Sequence, residues 1–416
     1  MAPKTFCALP FHQMTVMNDG KVRLCCRSEV NLNSEGRDLS LDDATLGQIW
    51  NSDYLRAVRR RMLSGLYVED CRQCYANEAV GATSLRQVMN ACFASRGEVS
   101  GDEELLQRTE ESLGSGDNMP FPPWLHLWLG NHCNLECRMC SPMFSSRIAA
   151  DPVHAAWFSG QNGASFYGWQ EAVFGEISQH AKAVQLIQFS GGEPFIHRTF
   201  RDILRKLVES RDAAHIELYI TTNGMTHSGE LSALLAHFAY VELGISVDGL
   251  GALQEYIRFP SKWDALERNI FSFQEDKVPI SIRPTVQAYN ALGLLDLARW
   301  CDMNGIRFVL DNVLWAPEFL SLDMLPEIVI LKALQDWEQY LQSECREDNR
   351  WHVQTVVSAL RRPRVGPEKL AVLQDQFIRF TNDLDKSRGQ SFAAACPELY
   401  GQMRAAGLRF RTPLDC

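Results

Sequence analysis

From residue 124 onward the sequence alternates short apolar runs with longer amphipathic stretches, and this alternation limits the possible folds more than any other feature. The apolar runs are predicted strands, at residues 124–129, 184–189, 216–221, 241–247, 279–286 and 307–313. The stretches between them have the residue spacing of amphipathic helices. Strands that alternate with helices imply parallel strands and right-handed crossovers, arranged either as an open doubly wound sheet or as a barrel.

The residues before this region have a different organisation. Residues 13–18 and 21–26 alternate as two strands around Asp19-Gly20, which predicts a hairpin, and residues 46–63 have the spacing of a helix or helix pair. A polar, proline-terminated stretch follows, and beyond Pro317 the pattern is only helical. The sequence therefore predicts an N-terminal domain at 1–94, a linker at 95–122, an α/β domain at 123–316 and a helical segment at 317–416.

Composition excludes several classes of function. The 416 residues include 41 basic and 51 acidic side chains, and a net charge of −10 argues against nucleic acid as a partner. No apolar run reaches the roughly 18 residues of a membrane span, and the start lacks a signal peptide, so we expect a cytoplasmic protein without a membrane partner. In that reducing compartment, 13 cysteines need an explanation by metal binding, catalysis or burial.

Three cysteines form the most informative cluster. Cys133, Cys137 and Cys140 directly follow the first predicted strand, at the sheet end where α/β proteins build their sites. Three thiolates can hold three irons of a [4Fe–4S] cluster and leave the fourth iron open. The alternatives are a zinc site completed by His132 or His126, or three unrelated buried thiols.

A second cluster lies near the start of the sequence. Its candidate ligands are Cys7, Cys25, Cys71 and Cys74, and four thiolates suffice for a closed [4Fe–4S] cluster, a [2Fe–2S] cluster or structural zinc. Cys26 is adjacent to Cys25, and neighbouring residues of a strand point to opposite faces. We therefore expect only one of these two cysteines to be a ligand.

The three-cysteine loop resembles the signature of the radical S-adenosylmethionine (SAM) superfamily, and further motifs occur in the order of that family. The resemblance implies an α/β fold, a partial (β/α)6 TIM-like barrel, with a small N-terminal α+β iron–sulfur domain and a helical C-terminal segment. It implies that SAM is held by Gly191, Gly192, Glu193, Thr222, Asn223, Ser246, Asp248 and Arg258. Arg258 occupies the place of a family arginine that meets the SAM carboxylate. Met139 departs from the pattern, because the family has an aromatic residue near the adenine, although a thioether also packs on a purine face.

The resemblance also implies the chemistry. A reduced [4Fe–4S] cluster binds SAM through its open iron and cleaves it to a 5′-deoxyadenosyl radical, which abstracts hydrogen from the substrate. The N-terminal cysteines resemble the auxiliary-cluster domains called SPASM and twitch, and the Gly20-x4-Cys25 count favours Cys25 over Cys26. No further cysteine pair follows Cys74 in this segment, so one auxiliary cluster is expected. With four cysteine ligands it has no open iron, and we expect it to accept the electron in a net oxidation.

The sequence indicates fewer candidate residues for the substrate than for the cofactors. Arg283 is the candidate catalytic residue that binds substrate, because it shares a polar strand face with Ser281, Thr285 and Gln287. The same alternation selects four further polar or aromatic positions, namely His126, Trp128, Gln188 and Tyr219.

A natural-product-like small molecule or a peptide is expected as the substrate, and flavodoxin or ferredoxin as the electron donor. The expected outcome is dehydrogenation, C–C or C–S bond formation, or epimerisation. We favour the small molecule slightly, because no leader-binding extension precedes Cys7. The alternative from another class is a zinc-stabilised binding or assembly protein without SAM chemistry. A SAM methyltransferase is disfavoured, because ordinary methyl transfer needs no cluster.

Overall fold

The computed structural model describes residues 5–79, 83–96, 118–158, 166–169, 171–310 and 312–410. The chain divides into two compact units. The first comprises Met1–Asn131, Ala164–Ile220 and Leu234–Val241, and the second comprises His132–Gly163, Thr221–Ala233 and Glu242–Cys416. Most of the predicted linker, residues 97–117, lies outside the described residues. The domain boundaries predicted from the sequence therefore stay a proposal.

The strands follow the predicted alternation closely. They are β1 (Gln13–Val16), β2 (Val22–Arg23), β3 (Asn33–Ser34), β4 (Arg37–Asp38), β5 (Trp124–Trp128), β6 (Leu186–Ser190), β7 (Glu217–Thr222), β8 (Tyr240–Ile245), β9 (Ile280–Ile282), β10 (Thr285–Val286), β11 (Arg307–Phe308) and β12 (Asn312–Val313). The fifth predicted strand is divided into β9 and β10 at Pro284, because proline has no backbone N–H to donate to a neighbouring strand. The sixth predicted strand, residues 307–313, is also divided, into β11, which pairs with β9, and β12, which pairs with β10.

The helices occupy the stretches with helical spacing. They are α1 (Leu9–His12), α2 (Leu46–Trp50), α3 (Asp53–Leu63), α4 (Arg72–Ala79), α5 (Leu85–Arg96), α6 (Ser146–Ala150), α7 (Pro152–Ala156), α8 (Glu171–Gln179), α9 (Arg198–Glu209), α10 (Gly229–Leu235), α11 (Gly251–Ile257), α12 (Trp263–Glu275), α13 (Leu294–Met303), α14 (Glu327–Ser343), α15 (Glu347–Leu360), α16 (Pro367–Arg388), α17 (Phe392–Ala395) and α18 (Pro397–Ala405). None of these described helices is long and apolar enough to span a membrane.

In the first unit, the strands follow the order β7-β6-β5-β1-β2. The pairs β7/β6, β6/β5 and β5/β1 are parallel, and only β1 and β2 pair in antiparallel fashion. The predicted hairpin is confirmed, with Thr15 opposite Arg23 and a left-handed Gly20 (φ 79°) in its turn. Its strand β1 continues the parallel sheet, because Gln13 is opposite Trp124. The N-terminal cysteine segment therefore folds onto the same sheet as the first β/α strand.

In the second unit, the parallel strands β8, β9 and β11 lie side by side in that order, and β10 pairs with β12. The C-terminal helices α14–α18 are amphipathic and bury residues such as Val329, Trp337 and Phe377. The predicted α/β class with parallel strands and a helical C-terminal segment is confirmed.

Candidate functional site

The three-cysteine loop lies in the second unit. Cys137 is buried, and Cys133 and Cys140 are half-buried. Two donors point at the sulfur atoms: Leu135 N lies 3.4 Å from Cys133 Sγ, and Arg258 Nη1 lies 3.8 Å from Cys137 Sγ. Burial raises the pKa of the Cys137 thiol, and the Arg258 guanidinium partly offsets this rise. These donors favour the thiolate form, which is the form that binds iron.

The donor set of this loop is three thiols, the ligand set of a [4Fe–4S] cluster whose fourth iron has no protein ligand. Within the described ranges, no three His, Cys, Asp or Glu side chains converge closely enough to hold one metal ion. A cubane cluster distributes its ligands over several irons, so cysteines that surround it need not converge on one point. Cys133, Cys137 and Cys140 are the residues that would hold it.

Backbone hydrogen bonds attach the loop to the last residue of α11 and to the segment that follows it. Glu136 N donates to Phe259 O at 2.6 Å, and Arg138 N donates to Ile257 O at 2.8 Å. Met139, predicted to lie near the adenine, is half-buried between the second and third cysteines. These two hydrogen bonds fix the backbone of the loop without any contribution from its thiols.

A buried arginine inside the cysteine motif was not recognised from the sequence. Arg138 is fully buried, and its Nη2 donates to Asp385 Oδ1 at 2.6 Å and to Gln390 Oε1 at 3.0 Å. Its Nε donates to Tyr256 O at 3.0 Å, and its guanidinium lies 3.6 Å from the Tyr256 ring centroid. Asp385 lies on α16, about 250 residues further along the chain, so no local pattern could have identified the pair.

Two predicted SAM-binding residues form an ion pair with each other. Arg258 Nε donates to Asp248 Oδ2 at 2.7 Å, and Asp248 Oδ1 accepts from Thr285 N at 2.6 Å. Burial raises the pKa of the Asp248 carboxyl, while Arg258 and the Thr285 N–H oppose that rise. Asp248 therefore orients the guanidinium that also donates to Cys137.

Three further predicted cofactor residues lie together in the second unit. Ser246 N donates to Thr222 O at 2.8 Å, which holds the ends of two strands side by side. Asn223 Nδ2 donates to Asn134 Oδ1 at 2.7 Å, and Asn134 belongs to the cysteine loop. Thr222 and Asn223 are buried, and Ser246 is half-buried. The structure thus links the end of β7 to the cysteine loop.

The glycine motif lies in the first unit, after β6. Gly191 and Gly192 have φ angles of 81° and 55°, a region that disfavours side chains. A Cβ at Gly191 would lie 3.1 Å from Gly130 O and 3.2 Å from Trp128 Cα. Glu193 is buried, and its Oε1 accepts from the N–H two residues further on. Glycine is required here by both conformation and space.

The four predicted N-terminal ligands line one cavity in the first unit. Cys7 precedes α1, Cys25 follows β2, Cys71 immediately precedes α4, and Cys74 lies in the first turn of that helix. Burial raises the pKa of the Cys7 thiol to about 12. The Cys26 side chain is exposed, whereas Cys25 belongs to the cavity lining. The donor chemistry of this cavity fits a cluster with four cysteine ligands.

Replacement of the two adjacent cysteines separates their roles. We expect Cys25→Ala to lose about four irons per chain, because the cavity loses one of four thiolates. We expect Cys26→Ala to retain wild-type iron, since its side chain faces solvent. Iron and sulfide analysis of the anaerobically purified variants measures this difference, and equal losses would show that the ligand assignment is wrong.

The candidate substrate arginine has a partner within the protein. Arg283 Nη2 lies 3.0 Å from Glu242 Oε1, and its Nε donates to Ser281 Oγ at 3.1 Å. Arg307 contacts the other oxygen of Glu242 at 3.3 Å. Arg283 is half-buried, and its contact with substrate stays a prediction. Two side chains of the predicted polar strand face, Arg283 and Ser281, therefore contact each other and Glu242 within the protein.

The other strand positions chosen by alternation lie in the first unit. His126 Nε2 is 3.0 Å from Ser190 Oγ, and burial lowers the pKa of His126 to about 3, so the imidazole is neutral. Tyr219 Oη accepts from Arg96 Nη2 at 3.2 Å. Trp128 and Gln188 are half-buried.

Comparisons with curated proteins identify distant relatives. The pre-heme d1 synthase of Dinoroseobacter shibae is 26% identical over 216 residues, covering 51% of this chain and 48% of the relative. The sporulation killing factor maturation protein SkfB of Bacillus subtilis is 24% identical over 251 residues, covering 59% and 54%. The chain thus spans about half the length of these curated relatives.

Among solved structures, Streptococcus suis SuiB bound to S-adenosylmethionine is similar. It matches with 18% identity and a TM-score of 0.40, covering 79% of this chain and 71% of SuiB. Native anSMEcpe with bound AdoMet matches with 18% identity and a TM-score of 0.40, covering 53% of this chain and 61% of anSMEcpe.

Family models match both cysteine clusters. The Radical SAM superfamily model matches residues 129–290, which contain the three-cysteine loop and the SAM motifs. The SPASM model, an iron–sulfur cluster-binding domain, matches residues 7–75, which contain the four N-terminal cysteines. SAM and iron–sulfur clusters are the cofactors of such domains. The chain therefore contains a radical SAM domain, and a SPASM iron–sulfur domain precedes it.

Proposed function

We propose that this chain abstracts hydrogen from a peptide or a natural-product-like small molecule and completes a net oxidation of that substrate. One auxiliary [4Fe–4S] cluster in the N-terminal cavity is the electron acceptor of this proposal. The outcome of this oxidation is dehydrogenation or C–C or C–S bond formation. Epimerisation is the redox-neutral candidate, because the substrate radical then regains a hydrogen atom from a donor such as a thiol and no electron leaves. The proposal places the chain in the cytoplasm, where thiols are kept reduced.

The observation that carries the proposal is the different number of thiols at the two sites. The loop of the second unit offers Cys133, Cys137 and Cys140, which leaves one iron of a cubane open for SAM. The cavity of the first unit brings together four cysteines, which would leave no iron open. A closed cluster supplies one-electron transfer, and an open one supplies the reductive cleavage of SAM.

The chain's own residues supply orientation and exclusion of water at the three-cysteine loop. The buried Asp248 fixes the Arg258 guanidinium, whose Nη1 lies 3.8 Å from Cys137 Sγ and which is proposed to meet the SAM carboxylate. Asn223 and Asn134 connect the cysteine loop to the residues proposed to line the methionyl part. Preorganised donors of this kind need no rearrangement when the cofactor binds.

The electron balance defines what the substrate loses. It loses one hydrogen atom, followed by one electron and one proton, which amounts to a two-electron oxidation. One electron must enter from an external donor such as flavodoxin or ferredoxin, and one must leave at the four-cysteine cavity. A second one-electron site in the same chain meets this requirement.

Both substrate classes stay in the proposal. One curated relative is named as a pre-heme d1 synthase and the other as a sporulation killing factor maturation protein. These names point to a small molecule and to a peptide system respectively, and each relative matches only about half its length. Arg283 is the residue proposed to bind substrate in either case.

Anaerobic purification with iron and sulfide analysis tests the proposal, followed by reduction with dithionite, addition of SAM and chromatography for 5′-deoxyadenosine. We expect about eight irons per chain and formation of 5′-deoxyadenosine, because two [4Fe–4S] clusters hold four irons each. Zinc in place of iron, with SAM left intact, would instead support the zinc-stabilised binding protein.

A further inference from the structure

Helix α5 lies outside the matched SPASM range and holds the backbone on both sides of Cys7. Arg86 Nη1 donates to Phe6 O at 2.7 Å, and Asn90 Nδ2 donates to the same oxygen at 3.2 Å. Ala8 N donates to Asn90 Oδ1 at 2.9 Å. Arg86 and Asn90 are four residues apart on one helix face, and both are buried. The direction of the Cys7 side chain is therefore set by its two bonded neighbours.

Arg86 also places a charge at the wall of the four-cysteine cavity. Its side chain lines that cavity together with Cys7 and Cys74. The guanidinium is paired with Glu78 through two bonds, Nε to Oε1 at 2.9 Å and Nη2 to Oε2 at 2.6 Å. The two side chains are 8% and 18% exposed, so solvent screens their charges weakly.

Glu78 is ionised in this pair. Burial by itself would raise the pKa of Glu78, but hydrogen bonds from Arg86 and Ser84 bring it below its ordinary value. Glu78 lies on α4, the helix that begins beside Cys71 and carries Cys74. The positive charge of Arg86 and the negative charge of Glu78 thus have opposite effects on the electrostatic potential in the four-cysteine cavity.

We propose that Arg86 and Glu78 are positioning residues that set the reduction potential of the N-terminal cluster, and that Arg86 with Asn90 holds Cys7 in place as a ligand. This inference rests on the proposed auxiliary cluster. A reduced cluster carries one more negative charge than an oxidised one, so a nearby cation favours reduction and a nearby anion opposes it. Arg86 belongs to the cavity lining and has the larger effect.

The test compares three variants, Arg86→Gln, Glu78→Gln and the double variant. Each is made in the full chain with Cys133, Cys137 and Cys140 replaced by alanine, so that only the N-terminal cluster is observed. The midpoint potential is measured by a redox titration monitored by electron paramagnetic resonance. We expect Arg86→Gln to shift the potential down by a roughly tenfold change in the redox ratio, or about 59 mV, and Glu78→Gln to shift it up by less. The double variant returns towards the parent.

Two controls separate charge from disruption. Glu69→Gln and Arg72→Gln remove a similar ion pair beside Cys71, but these side chains are 65% and 47% exposed, so we expect little shift. Arg86→Lys keeps the charge without the two-bond geometry, and it should stay closer to the parent than Arg86→Gln. If Arg86→Gln does not fold, the upward shift expected for Glu78→Gln still tests the inference.

The failure of the inference is distinct from failure of the proposed function. Absence of iron from the parent protein would overturn the auxiliary cluster itself. Normal iron content, combined with shifts of Arg86→Gln and Glu78→Gln in the same direction or with no shift in either, would overturn the inference alone.

Discussion

Replacement of Cys137 by alanine is expected to abolish 5′-deoxyadenosine formation while the N-terminal cluster remains. Cys137 is the most buried cysteine of the loop and accepts a hydrogen bond from Arg258. Two remaining thiols hold a cubane poorly, so we expect iron content to fall from about eight to about four per chain. The four N-terminal cysteines belong to the first unit and should keep their iron.

The measurement combines iron analysis with chromatography of the SAM reaction. Cys345→Ala is the matched control, because this thiol is half-buried and lies in the C-terminal helical segment, outside both cysteine clusters. We expect the control to keep its iron and its turnover of SAM. Full iron content in Cys137→Ala would show that Cys137 is not a cluster ligand.

Replacement of Asp385 by asparagine is expected to destabilise the second unit by about 3–5 kcal/mol, because it leaves a buried guanidinium without its counter-charge. Arg138 is fully buried, and Asp385 also accepts from Tyr256 Oη at 2.8 Å and from Phe392 N at 2.7 Å. Since Arg138 lies between the second and third cysteines of the loop, we expect iron at that loop to fall as well.

The midpoint of urea unfolding, followed by tryptophan fluorescence, measures this effect. Asp375→Asn is the control on the same helix, because its ion pair with Arg379 is more than 60% exposed on both sides. An Arg138→Met, Asp385→Leu double variant removes both charges and should recover much of the lost stability. Equal midpoints for Asp385→Asn and Asp375→Asn would contradict the structural role of the pair.

The relative positions of strands and helices along the chain were predictable from local patterns. Strands occur in all six predicted regions and the hairpin around Asp19-Gly20 forms, because alternation and turn chemistry act over a few residues, but the fifth and sixth regions each contain two short strands. The break of the fifth strand at Pro284 was missed, although proline gives a signal for it.

The cofactor motifs were predictable for the same reason. Three cysteines at fixed spacing after a strand, and a glycine pair after the next strand, are short patterns that the family models also match. The ion pair between Asp248 and Arg258 was harder to predict from the sequence. Residues ten positions apart have no fixed distance between them until the chain folds.

The sequence by itself determined the α/β class, the two sets of cysteines and the superfamily, because each depends on residues close together in the chain. Tertiary structure alone decided that β1 extends the parallel sheet, that Arg138 is neutralised by Asp385 on α16, and that Arg86 and Asn90 hold the backbone around Cys7. These contacts join residues about 80 to 250 positions apart. A buried charge needs an opposite charge or a hydrogen-bond partner nearby, but no short sequence pattern indicates which distant residue provides it.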